Sequence, residues 1–272
     1  MAAAATPRLR RGALSLLVSF KNDAFGMREY EVLSRASACA VVAPRPAGLV
    51  LLSCLHVVHP FRYPQYFRPD HAATAWVQHV RPEMVRCSAQ VVDVGGVVLD
   101  RAELRSDWLV PHPVRDLVAL RFAAGEDEAH EFLRRNHVRL FDLDRALRLW
   151  PGTRVSVEGH RCEPRISEAG LDVSVEHPLS EAGAVASIET ATQLGQDGLP
   201  GSVEQVFCFT PQQLPMGVCG GPVTDAETGD CLAGIVEGIV SKEAAMLVGL
   251  QTQLAAVIAA QQVAAFVETL PP

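Results

Sequence analysis

The sequence predicts an all-β protein, two β-barrels followed by a C-terminal α-helix, on three observations. Short apolar runs alternate with Gly- and Pro-rich turns through most of its 272 residues, as in barrels and sandwiches. A polar, helix-like stretch at 124–148 divides these runs into two sets. Leu254–Leu270 then carries apolar residues at helical spacing with no Gly or Pro before Pro271. No internal repeat of fixed period is present.

In the first set, Leu14–Phe20 is an apolar run behind a basic, acid-poor segment with Arg8, Arg10 and Arg11. Residues 1–20 fit an organelle transit peptide or a disordered tail ahead of a strand at 13–20. Ala36–Ala43 and Leu49–Ser53 flank a turn cluster at 44–48 and read as a hairpin. Cys87–Val92 and Val97–Leu99 flank Gly95-Gly96 and read as another. Leu117–Phe122 is a further strand, and 59–82 is an irregular excursion rich in Pro, His and aromatics. Between the sets, Gly125-Glu126-Asp127-Glu128 opens a helix over 127–136 with acids in its first turn. The second set contains Thr153–Glu158, Leu171–Val175, Ala184–Glu189, Val203–Thr210, Val223 and Leu232–Val236. The expected organisation is a tail at 1–12, a first barrel at 13–125, a linker with a short helix at 126–148, a second barrel at 149–250 and a helix at 251–272.

Composition narrows the function. Hydrophobic residues are 49% of the chain, enough for a sizeable core. A net charge of −7 with 6% aromatics gives nucleic acid neither attraction nor a stacking surface. No apolar run reaches the length of a membrane span. The seven cysteines are scattered with no CxxC pair, which fits free thiols in an intracellular, reducing compartment.

The chemistry centres on Pro215-Met216-Gly217-Val218-Cys219-Gly220-Gly221-Pro222-Val223. Glycines let backbone amides approach a reacting group, so a thiol among them is placed to attack a carbonyl while the turn holds the oxyanion. The alternative is a glycine-rich turn that merely contains a cysteine. A base is offered by His56, at the end of the apolar run Leu49–Val58; the alternative is a core histidine. His59 adds a second imidazole, but two histidines without matched Cys, Asp or Glu do not make a zinc set. Asp116, just ahead of Leu117–Phe122, is a partly buried carboxylate in need of a donor. An imidazole supplies one, as would Arg115 or a turn amide. A phosphate site on the glycine run lacks a Walker-type lysine and a following helix.

Together LLSCLHVV, RDLVALRF and MGVCGGPV resemble, in order and context, the histidine, aspartate and nucleophile segments of trypsin-like (chymotrypsin-fold) peptidases. Leu149-Trp150-Pro151-Gly152-Thr153-Arg154-Val155-Ser156-Val157-Glu158-Gly159 and Gly183–Ile188 are similar to the second barrel of the HtrA/Deg-type branch, here without its PDZ domain. The likeness covers roughly residues 14–250. It implies two six-stranded antiparallel barrels, a triad of Cys219, His56 and Asp116, an oxyanion hole from the amides of Gly217 and Cys219, a polypeptide substrate and no cofactor or metal. Cysteine replaces the family's usual serine, and GVCGG is similar to the GxCGG turn of picornavirus main proteases of the same fold. Ser37–Val42 lacks the glycines common in the HtrA version. Val218 stands where secreted members carry the aspartate that pairs with a new N-terminus. Glu237 stands where a small serine usually sits beside the triad aspartate, which would crowd two carboxylates and raise one pKa. Gln213, Glu237, Gly238 and Ile239 are the expected substrate-pocket residues, with Gln213 implying a neutral, shallow pocket and Ile239 a narrowed entrance. Two functions remain at this stage: a cysteine endopeptidase, and a catalytically silent relative that binds peptide or serves as a structural subunit. Oligomeric state is left open.

Overall fold

The computed structural model describes residues 10–43, 48–63, 75–166, 174–194, 200–240 and 253–272. The first barrel contains β1 (Leu14–Phe20), β2 (Glu31–Val42), β3 (Leu49–Ser53), β4 (Val85–Val92), β5 (Val98–Pro111) and β6 (Val118–Phe122). Their order is β1-β4-β5-β6-β3-β2, and β1 also pairs with β2, so the pairings run in a ring. Two long strands turn the corners. Residues 31–38 of β2 pair with β1, whereas 39–42 pair with β3. The first half of β5 pairs with β4 and its second half with β6. The strand predicted at Val97–Leu99 therefore extends to Pro111, because a single strand serves both sheets.

The linker holds α2 (Glu126–Arg135), preceded in the chain by the one-turn α1 (Leu55–Val58), and β7 (Leu140–Asp142). β7 joins β2 in parallel as a seventh strand, a pairing no local pattern announces.

The second barrel is closed in the order β10-β13-β12-β11-β8-β9. Its strands are β8 (Arg154–Glu163), β9 (Val175–Leu194), β10 (Pro200–Phe209), β11 (Pro222–Asp225), β12 (Leu232–Val240) and β13 (Leu254–Ala259). Of the run predicted at 171–175, residues 171–173 lie outside the described residues and Val175 opens β9. The tail departs from expectation. Leu254–Ala259 is a strand that closes the barrel between β10 and β12, and the helix, α3, spans only Ala260–Val267. The six-residue run LAAVIA is buried along nearly its whole length, and periodicity cannot tell such a run from a buried helix. The second barrel thus runs past residue 250.

Each barrel encloses its own apolar interior, and a third cluster lies between them. Val50, Leu52, Leu117 and Ala119 of the first barrel there meet Leu232, Ile235 and Ile258 of the second. Val263, Phe266 and Val267 of α3 are buried in the same cluster. Burial of this kind, at about 25 cal/mol per Å² of apolar surface, fixes the two barrels against each other. Any site spanning the seam inherits that rigidity.

Candidate active site

β3 ends at the fully buried Ser53, and the chain turns through Cys54 into α1, which carries His56 at the barrel rim. Asp116 is presented by the turn between β5 and β6. His112 organises that turn, its Nδ1 accepting the amides of Val114 at 3.0 Å and Arg115 at 2.9 Å. Asp116 grips His56 twice. One carboxylate oxygen accepts the His56 backbone N–H at 2.8 Å, and the other is hydrogen-bonded to Nδ1.

Cys219 comes from the other barrel, in the turn before β11. Ser37 of β2 holds that turn across the seam. Its amide donates to the Cys219 carbonyl at 3.0 Å, and its hydroxyl donates to the Gly217 carbonyl at 2.7 Å. Ser53 fixes Ser37 in turn, donating to its carbonyl at 2.7 Å. Gly220 must be glycine here: φ is +83°, and a Cβ would fall 2.2 Å from the Ser37 carbonyl oxygen. Ser37 lies in the segment that departs from the HtrA pattern, and nothing local in the sequence marks it as an anchor.

Electrostatics link the three residues. Burial works against a charged His56, but its hydrogen bonds to Asp116 and Cys219 and their negative charge prevail and raise it to about 10. A hydrogen bond from Cys54 does most to lower the Cys219 thiol. Burial opposes this, while the hydrogen bond and charge of His56 assist, and the thiol falls to about 5. Between these values the thiolate–imidazolium pair is the favoured state. Cys54, fully buried, is pushed well above its ordinary range, first by burial and then by its bond to Cys219.

Cys54 was not among the candidates read from the sequence. Its sulfur, a His56 ring nitrogen and an Asp116 oxygen lie within 4.8 Å of one another, the only such cluster of donor atoms among the described residues. His59 is not part of it. The donors are already engaged, His56 with Asp116 and the Cys54 thiol with the Val236 carbonyl at 3.1 Å.

Topologically, the arrangement is two antiparallel barrels with the site in the seam and a helix packed behind. Among solved structures, the active form of the Rv3671c protease from M. tuberculosis aligns with TM-score 0.52 and 11% identity, over 94% of this chain and 80% of that one. The fold is the trypsin-like double barrel. The inactive form of the same protease aligns with TM-score 0.49 and 13% identity over 95% and 89% of the two chains. The MamO protease domain from Magnetospirillum magneticum aligns with TM-score 0.48 and 16% identity over 92% and 94%. No family model and no curated protein matches the sequence.

Of the remaining predicted residues, Gln213 is exposed, and Glu237, Gly238 and Ile239 lie on β12. A Cβ built on Gly238 meets nothing among the described residues within 4 Å. Glu237 is buried and faces inward. Arg115 donates to it at 2.8 Å and the Asp116 amide at 3.2 Å. Arg115 was read as a rival partner for Asp116; it binds Glu237 and the Glu204 carbonyl instead. Burial raises the Glu237 pKa, with Arg115 opposing and the Asp116 charge reinforcing the rise. The crowding of two carboxylates is real, and Arg115 relieves it.

Proposed function

We propose that this chain is a cysteine endopeptidase with Cys219 as nucleophile, His56 as acid–base and Asp116 as the group that orients His56. One observation carries the reading: His56 is hydrogen-bonded to Asp116 on one side and to Cys219 on the other, across the seam of a trypsin-like fold. The second-barrel segments Leu149–Gly159 and Gly183–Ile188 resemble the HtrA/Deg-type branch, and the thiol-bearing turn resembles that of the GxCGG proteases.

The chemistry follows from the protonation states. The Cys219 thiolate adds to the scissile carbonyl carbon, and the carbonyl π electrons move onto oxygen. The amides of Gly217 and Cys219 are the proposed donors to that oxyanion, each contributing on the order of 3–4 kcal/mol. Among the described residues, neither amide is engaged in a hydrogen bond. The His56 imidazolium gives its proton to the leaving amine nitrogen as the C–N bond breaks, which leaves a thioester on Cys219. Neutral His56 then takes a proton from water, whose oxygen attacks the thioester; the acid is released and the thiolate restored. Asp116 holds Nδ1–H throughout and keeps Nε2 toward the sulfur. Glu237 does not block this path, because its carboxylate is spent on Arg115 and the Asp116 amide.

Incubation with a mixed peptide library, read by mass spectrometry, tests the reading. The expected result is cleavage at a restricted set of bonds that Cys219→Ala abolishes, together with stoichiometric labelling of Cys219 by a peptidyl chloromethyl ketone. No cleavage and no labelling of the native chain would favour the silent, peptide-binding relative instead.

A further inference from the structure

Cys54 is not an apolar filler. It is fully buried, yet its thiol donates to the Val236 carbonyl at 3.1 Å and contacts the Cys219 thiol, with which it shares a hydrogen bond. Independent backbone geometry brings the two cysteines together. The Gly220 amide donates to that same Val236 carbonyl at 2.8 Å, so the residue after Cys219 and the thiol of Cys54 converge on one oxygen. A Cβ on Gly220 would lie 3.0 Å from the Cα of Ser53. The chain next to Cys219 and the chain next to Cys54 therefore run within about 4.5 Å of each other at their α-carbons, allowing one C–C bond length. A disulfide needs α-carbons about 4.4–6.8 Å apart. Of the two thiols Cys219 is the one partly open to solvent.

We propose that Cys54 and Cys219 form an oxidisable pair, a modification site that a peroxide closes to a disulfide and a dithiol reopens. It rests on Cys219 being the activated thiolate of the preceding section. In the first step the thiolate sulfur attacks one oxygen of hydrogen peroxide; the S–O bond forms, the O–O bond breaks and hydroxide leaves. The sulfur of Cys54 then attacks the sulfenic sulfur, the S–O bond breaks, and the Cys54 proton departs with the hydroxyl as water. Overall, two thiols lose two electrons and one peroxide is reduced to two waters. Closure silences the nucleophile and diverts it from the irreversible sulfinic and sulfonic stages, which await a sulfenic acid that finds no second thiol. A cysteine placed for packing alone would leave Cys219 to those stages.

The test treats the full chain with hydrogen peroxide at pH 7, blocks remaining thiols with N-ethylmaleimide and digests without reductant. A peptide joining Cys54 to Cys219 is expected, and iodoacetamide labelling of Cys219 should return in full after dithiothreitol. In Cys54→Ser, and in Cys54→Ala as a second variant, Cys219 should proceed to sulfinic acid that dithiothreitol does not reverse. Absence of the linked peptide with equal over-oxidation in native and variant chains would overturn the proposal, as would a disulfide from Cys219 to another cysteine. The readout is mass, not cleavage. A linked peptide in a chain that cuts nothing supports the pair and counts against the peptidase; cleavage without a linked peptide does the reverse.

Discussion

Alkylation of Cys219 by iodoacetamide, followed from pH 4 to pH 10, separates an activated thiolate from an ordinary one. The thiol falls from 9.0 to about 5 through the hydrogen bond of Cys54 and the bond and charge of His56. At pH 6 about nine-tenths of it is thiolate, against about one part in a thousand for a thiol left at 9.0, a roughly 900-fold gain in the reacting species. Nucleophilicity declines with basicity at a Brønsted slope of about 0.4–0.5, which over this range takes back roughly 60-fold. Cys219 should therefore react about 15-fold faster than an unperturbed thiol at pH 6, draw level near about pH 7, and be the slower of the two above that, by about 30-fold at pH 9. In sign, its rate climbs as pH rises through about 5 and then stays flat, whereas an ordinary thiol keeps climbing toward 9.0. Cys39, Cys87 and Cys208, pushed up to about 12 chiefly by burial, serve as internal controls and should remain unlabelled. In His56→Ala the inflection should move upward, since a hydrogen bond and a positive charge are lost. An inflection near 9 in the native chain, unchanged by that substitution, would refute the ion-pair argument.

Three further outcomes are expected. Asp116→Asn should lower kcat/KM for a cleaved peptide by about 10⁴-fold with KM little changed, because the His56 tautomer is no longer fixed; steady-state kinetics on the folded variant decides this. Glu237→Gln leaves Arg115 buried without its counter-charge, and urea unfolding should show a loss of about 3–5 kcal/mol, partly recovered in the double variant Arg115→Met/Glu237→Leu. A loss under about 1 kcal/mol would mean that the pair is solvated rather than sealed. Gly220→Ala meets both a positive φ and the Ser37 carbonyl at 2.2 Å, so it should cost more than the about 1–2 kcal/mol of the backbone conformation alone and abolish selective labelling of Cys219.

Much of the fold was written locally. Strands such as Leu49–Ser53 and Val118–Phe122 announce themselves because alternation and turn residues act over a few positions. The helix Glu126–Arg135 does so through its acidic first turn and basic last turn. His56, Asp116 and Cys219 were also legible, since each stands at the edge of an apolar strand where an ionisable group needs a partner. What adjoined them was not. Whether LAAVIA becomes strand or helix depends on a gap between β10 and β12 that exists only once the barrel is closed. Ser37 becomes an anchor, and Cys54 a neighbour of Cys219, only because chain segments more than 160 residues apart meet at the seam. Glu237 reads as an obstruction until Arg115 is seen to turn it inward. By itself the sequence singled out His56, Asp116 and Cys219 as candidates, because titratable groups and glycines act through their own atoms. Only the tertiary structure decided their charges and companions, because desolvation and hydrogen bonding are properties of what packs around an atom.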